Sequence, residues 1–239
     1  MRIAIGLLIL LILAAGGAWF ARDYVRRHPQ DVPWTRLDLS HPIGMFTRRK
    51  LVELGDDSRF CRALLTRAGT QDLAVPPRRP TLQCSYDDGM RLSAAGARDV
   101  AFIPSGLVTS CPVAAALLLW QQRIIEPAAR RRFGTSVRRI DHAGSYSCRR
   151  LYGRDEGPFS QHATADAIDI TGFQLTDGRR ISVLRDWPRA SAEAAFLREA
   201  RDGACDLFAT VLSPDYNAAH RDHLHLDQAD RPAGWHLCR

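Results

Sequence analysis

The chain has no CxxC pair, no internal repeat, no low-complexity tract, and no stretch in which basic and aromatic residues interleave. Each absence removes a class of protein. Without CxxC there is no thiolate zinc knuckle. Without repeats or proline-rich composition the chain is not a fibrous structural protein. The formal charge of +7 is carried by scattered arginines, with one cluster at Arg130, Arg131 and Arg132. That pattern lacks the footprint of a nucleic-acid binder. No nucleic-acid partner is expected, and an anionic wall polymer or lipid headgroup suits the charge better.

What is present points outside the cytoplasm. Residues Ile3 to Ala21 are uncharged, flanked by Arg2 on one side and Arg22, Arg26 and Arg27 on the other. They match the roughly 20 residues that span a bilayer. Residues 1–22 therefore form a signal anchor or signal peptide. The expected topology keeps it as an inner-membrane anchor with the folded part in the periplasm, or leaves a periplasmic protein if the N-terminus is cleaved. The arginine bias behind the segment runs against that orientation. The six cysteines, Cys61, Cys84, Cys111, Cys148, Cys205 and Cys238, favour it, because an even set fits disulfides formed after export. The expected pairing is Cys61 with Cys84, Cys111 with Cys148, and Cys205 with Cys238. The second bridge would carry Arg149 toward the helix that starts at Pro112.

About 200 residues remain beyond the apolar segment, enough for one sizeable core. Residues 23–45 mix charge with prolines and show no sustained period, which predicts a linker or an extended wrap, and residues 46–239 form the domain. Arg59 to Ala68 reads as a short helix, and LQCSYDD, around Cys84, as a strand. Thr109 and Ser110 before Pro112 open a core helix whose Val113, Ala116, Leu117, Trp120 and Ile124 recur at helical spacing. Pro127 should kink or restart that helix, and Gly134 should end its extension. VRRIDHAGSYSCRR predicts a strand and turn, Asp177 and Gly178 a hairpin, and Ser191 with Glu193 a helix burying Ala192, Phe196, Ala200 and Leu207.

Two motifs carry chemistry. In SQHATADAID, residues 160–169, alternation on a strand puts Ile168 and Ile170 on one face and Ala167, Asp169 and Thr171 on the other. His162 lies seven positions before Asp169, a separation that neither a straight strand nor a helix brings to one point. A bend that folds His162 back beside the strand does so, and Ala163, Ala165 and Ala167 leave room for it. In HRDHLHLD, residues 220–227, the same alternation gives His223, His225 and Asp227 a common face. His162, Asp169 and His225 then form a metal set. Two imidazoles and one carboxylate suit a catalytic Zn2+ with an open position. His223 is placed toward water or substrate, with Asp222 and His220 behind it or sharing the base role. Arg149 is a candidate for stabilising an oxyanion or holding a substrate carboxylate.

These residues resemble a known family. SQHATADAID is similar to the SxHxxGxAxD signature, and HLH to the HxH signature, of zinc D-Ala-D-Ala metallopeptidases, which group with murein endopeptidases and hedgehog-like domains. Within that group GSYSCR, SQHATADAIDITGF and VLSPDYNAAHRDHLHLD, in this order, resemble the bacterial extensin-like C-terminal domain family, from about Cys61 to Cys238. The resemblance implies His162, Asp169 and His225 as zinc ligands, His223 as a catalytic aid, and a peptidoglycan peptide as substrate. The family glycine is Ala165 here, and a methyl group at φ above zero costs on the order of 1 kcal/mol.

The expected fold is α+β: a small, mostly antiparallel sheet with flanking helices, stapled by disulfides and preceded by one apolar helix. The expected function is an exported zinc peptidase cutting stem peptides or crosslinks. The alternatives are a non-catalytic, zinc-containing wall-binding module, a two-histidine, one-carboxylate iron oxygenase, and a thiol hydrolase using Cys148 with His162.

Overall fold

A computed structural model of the chain describes residues 2–71, 73–92, 100–231 and 234–239. Helix α1 (Arg2–Arg27) runs six residues past the apolar segment, to Arg27, and buries none of its side chains. It is long and apolar enough to cross a membrane, a property that a signal sequence near the N-terminus shares. The chain after it lies against the domain. Lys50 Nζ donates to Pro29 O and Thr35 Oγ1, both at 2.7 Å, and Val32, Leu37 and Leu39 are buried.

Helices α2 (Thr47–Val52) and α3 (Ser58–Arg67) open the main body. Strands β1 (Leu73–Ala74) and β2 (Met90–Arg91) come next, then β3 (Ala101–Ile103) and β4 (Val108–Thr109). β1, β2 and β4 make a small antiparallel sheet. The segment LQCSYDD is not the expected strand. Leu82–Cys84 is a single 3-10 turn, and Tyr86 pairs only with Arg78. Side-chain packing holds this loop instead: Tyr86 meets Tyr146 edge-on at 5.5 Å, and Tyr146 Oη donates to Cys84 O at 3.0 Å.

Helix α4 (Cys111–Trp120) is apolar all round and is enclosed by the domain, as such a helix must be. Ser110 caps it, its Oγ accepting from Val113 N. Pro127 cannot donate to the ladder. The chain meets this with a π turn at Gln121–Ile125, where Glu126 N bonds Gln121 O, before α5 (Glu126–Phe133) continues to Gly134 in the left-handed region.

Among the described residues the main sheet has seven strands. β5 (Val137–Gly144), β6 (Ala167–Leu175) and β7 (Arg180–Ser182) are followed by the short α6 (Val183–Asp186) and by α7 (Ala192–Ala204). β8 (Thr210–Leu212), β9 (Leu224–Asp227) and β10 (Leu237–Cys238) complete the sheet. The order is β10-β8-β9-β6-β5-β3, with β7 beside β6, and only the outer pairs β10/β8 and β3/β5 are parallel. The fold is thus α+β and mostly antiparallel. α7 turns Ala192 to solvent, against expectation, because the buried face of its first turn is set by Ala194, two positions on and on the other side of the helix. Its core face is Ala194, Phe196, Leu197, Ala200 and Ala204, while Leu207 is buried just beyond the helix. Trp120, Phe173 and Phe196 stack through the centre, and Trp120 Nε1 donates to Ala200 O at 2.8 Å.

β6 is the central strand. Its first half pairs with β9 and its second with β7, while β5 runs along its other edge. Ile168 and Ile170 face the core, but so do Phe173 and Leu175, which breaks strict alternation. The register explains this: Asp141 pairs with Gly172 and His142 with Ile170, so β6 carries one extra residue and its faces exchange. Gly172 sits at the crowded point, where a Cβ would come within 2.4 Å of Ile181 O.

The disulfides are Cys61–Cys111, Cys84–Cys148 and Cys205–Cys238. The last agrees with expectation and the first two do not. Cys61 lies on the face of α3 that packs against the start of α4, and both sulfurs are buried there. The Cys84 loop crosses instead to the turn after β5, carried by the Tyr86 and Tyr146 contact.

Candidate metal centre

The site forms where β6, β9 and one turn converge. Asp169 and His225 are paired across β6 and β9. Their neighbours Ile168, Ile170, Leu224 and Leu226 are buried on the opposite, core face, which fixes the register and with it the face of the two polar side chains. His162 enters on the 3-10 turn Gln161–Thr164. Ser160 Oγ caps the turn, accepting from His162 N, and Ala165 closes it at φ 59, ψ 17. That conformation is left-handed, and two contacts hold it: Ser110 N donates to Ala165 O at 2.7 Å and Ser145 Oγ to the same oxygen at 3.2 Å.

The three donor atoms make a near-regular triangle. His162 Nε2 lies 3.2 Å from Asp169 Oδ1 and 3.2 Å from His225 Nδ1, and the last two are 3.0 Å apart. Ligands at about 2.0–2.1 Å from a tetrahedral zinc stand about 3.3 Å from one another, so the spacing fits that ion. Proton bookkeeping makes the fit stronger. His162 Nδ1 is 2.6 Å from Ser145 O, a pure acceptor, and must donate to it. His225 Nε2 faces the Asp227 carboxylate at 3.0 Å and donates likewise. In the neutral rings both remaining nitrogens then carry lone pairs directed at each other and at a carboxylate. A cation resolves that conflict, and the outward hydrogen bonds are those that orient metal-bound imidazoles.

The electrostatics agree. Burial would lower the pKa of His225, but hydrogen bonds to Asp169 and Asp227 outweigh it and raise it to about 9. Burial would raise Asp169, but the His162 and His225 imidazoles against its Oδ1 hold it well below the usual carboxylate range. The pocket stabilises positive charge even where only a proton supplies it.

His223 approaches from one corner: its Nε2 is 3.5 Å from Asp169 Oδ1, and its Nδ1 is 2.8 Å from Asp222 Oδ1. That hydrogen bond is the main reason Asp222 is held below its ordinary pKa. His220 lies behind, its ring 5.2 Å from His223 and its Nδ1 2.8 Å from Asn217 Oδ1. Burial first, then the two neighbouring histidines, lowers it to about 4, so it is neutral at pH 7.

The structure therefore brings His162, Asp169, His225, His223 and Asp222 together. Arg149 is placed through its backbone: its carbonyl accepts from Ser160 N at 3.0 Å, and its exposed side chain has no hydrogen bond among the described residues. Cys148 is bridged to Cys84 and offers no thiol for the Cys148 with His162 reading. Three partners were not assigned roles from sequence: Ser145, Asn217 and Asp227. Alternation put Asp227 on the face of His225, a usable signal, whereas a backbone carbonyl such as that of Ser145 leaves none.

Fold and site together define a disulfide-stapled α+β domain built around a two-histidine, one-aspartate cluster. The chain belongs to the family described as Extensin-like protein C-terminus, whose profile matches residues 59–239. Nothing among curated proteins and nothing among solved structures matches it.

Proposed function

We propose that this protein is an exported zinc-dependent peptidase that hydrolyses amide bonds of peptidoglycan stem peptides or crosslinks, held at the periplasmic face of the inner membrane by α1. The observation that carries the reading is the triangle of His162 Nε2, Asp169 Oδ1 and His225 Nδ1, with both outer ring nitrogens already committed to acceptors. Three protein ligands are the number used by catalytic zinc, whereas structural zinc takes four. The likeness of SQHATADAID and HLH to the zinc D-Ala-D-Ala metallopeptidase signatures supports the same chemistry.

A zinc ion held by these residues supplies Lewis acidity and brings the pKa of a coordinated water toward neutrality. The chain's own groups supply the rest. His223, oriented through Nδ1 by Asp222, presents Nε2 beside Asp169 and is positioned to take a proton from water and return it to the leaving amine. Asp227 and the Ser145 carbonyl hold the two ligand rings in one tautomer. Exposed Arg149, whose carbonyl accepts from the backbone N–H of Ser160, the cap of the His162 turn, is available to a peptide carboxylate.

The test is mass spectrometry of purified muropeptides incubated with the zinc-loaded full chain in detergent. New fragments from a single amide cleavage are expected. Intact muropeptides that bind to the zinc-loaded protein without being cut would replace this reading with a wall-binding module.

A further inference from the structure

Just before the His162 turn the chain makes an exposed hairpin that reaches Asn217 at the start of the His220 turn, and its tip is strained. Tyr152 has φ 58, ψ 20, the left-handed region, where a bulky side chain costs on the order of 1–2 kcal/mol. The conformation is imposed from both sides. Arg150 bridges Phe159, Leu151 N donates to Pro158 O at 3.0 Å, and Ser160 N donates to Arg149 O at 3.0 Å at the base, next to the Cys84–Cys148 disulfide. Strain of this kind persists where surroundings over-determine it, and such positions cluster at functional sites. Burial of the ring does not explain Tyr152, which is 53% exposed.

The hydrogen bonds around the tip have only one consistent polarity. Ala219 N, a donor that cannot be reassigned, marks its partner on Asn217 as the acceptor Oδ1 at 3.0 Å. His220 Nδ1 donates to the same oxygen at 2.8 Å. Asn217 Nδ2 therefore faces Tyr152 Oη, at 3.3 Å, and donates to it. The phenol is thus the acceptor in that contact, and its own O–H is left to donate outward. On the other side of Asn217, the His220 ring packs 5.2 Å from His223 and 6.0 Å from the ligand His225.

We infer that Tyr152 is a substrate-contacting residue, its hydroxyl donating a hydrogen bond to an acceptor oxygen of the peptide that the metal centre cuts. The inference rests on the peptidase reading above and adds the residue that fixes the peptide at the rim. Asn217 is the positioning residue that holds the phenol, and strain at the tip is retained because it sets the direction of the hydroxyl.

The experiment compares wild type, Tyr152→Phe and Tyr152→Gly as zinc-loaded full chain in detergent, with a synthetic stem pentapeptide ending in two D-alanines as probe. Tyr152→Phe keeps the ring and the backbone and should lower kcat/KM about tenfold or more, mainly through KM, the loss of one hydrogen bond to substrate. Its zinc content and Tm should match wild type. Tyr152→Gly relieves the positive φ, so its Tm should equal or exceed wild type while its kcat/KM falls by at least as much. Unchanged kcat/KM in Tyr152→Phe overturns the assignment. If wild type binds the peptide without cutting it, the peptidase reading fails separately, and calorimetry decides this one: about tenfold weaker binding by Tyr152→Phe upholds it, and equal affinity, or no binding by wild type, overturns it.

Discussion

Asp169 and His225 stand opposite each other on adjacent strands, and Asp169 Oδ1 lies 3.0 Å from His225 Nδ1. The far side of the same imidazole is held by Asp227 at 3.0 Å. Asp227 therefore fixes which nitrogen of His225 carries the lone pair. Asp227→Asn should weaken zinc affinity about 10- to 100-fold without unfolding the chain, because an amide can present its NH2 to the ring and favour the wrong tautomer. Competition with a chromophoric chelator measures this, and an unchanged affinity would remove Asp227 from the site.

On the proposed peptidase reading, variants of His223 and Asp222 are expected to separate metal binding from turnover. His223→Ala should retain zinc and lose about 10²- to 10⁴-fold in kcat, the usual contribution of a positioned base. Asp222→Asn should be milder, since Asp222 only orients His223. A severe Asp222→Asn with a mild His223→Ala would transfer the base role to the carboxylate.

Asp166 gives a pH signature away from the metal ligands. Burial, with Asp227 and Asp88 nearby and against the hydrogen bond from Ser110 Oγ at 2.6 Å, raises it to about 8. Its folded pKa is above its unfolded value, so the unfolded chain binds fewer protons at this site. Stability therefore falls as pH rises from about 4 to about 8. Asp166→Asn keeps an acceptor for Ser110 and removes the titration, so it should stabilise by several kcal/mol, up to about 5, at pH 8 and by little at pH 4. Denaturant melts of both proteins at the two pH values test this, and a parallel pH dependence would contradict it.

The disulfide pattern is checked by non-reducing peptide mapping, which should recover Cys61–Cys111, Cys84–Cys148 and Cys205–Cys238. Replacing Cys61 and Cys111 together by serine removes a bridge of sequence separation 50 and should cost about 4 kcal/mol by loop entropy.

Much of the centre was legible because alternation and register are local. Ile168 and Ile170 announce one face of β6, Leu224 and Leu226 the matching face of β9, and their polar neighbours must then meet. The bend at His162 was legible from the small residues around it, and Ala165, at the position of the family glycine, adopts a positive φ. The Pro112 helix and the hairpin at Asp177 and Gly178 were signalled by caps and turn residues. The cysteine pairing was not legible, because it depends on how α3 packs against α4 and on where the Cys84 loop lands, both long-range contacts. The order of residues 29–45 was hidden for a similar reason: Leu37 and Leu39 are isolated apolar residues in a polar stretch, and only the finished core shows what they cover. Tyr152 gave no signal, since its strain comes from a hairpin latched to a distant asparagine.

The most direct test of the account is metal stoichiometry by inductively coupled plasma mass spectrometry on purified full chain, wild type and His162→Ala, after dialysis against micromolar zinc. About one zinc per wild-type chain is expected, and essentially none in His162→Ala, because two remaining protein ligands rarely retain the ion. A zinc-free wild type, or a His162→Ala variant that keeps full occupancy, would contradict it.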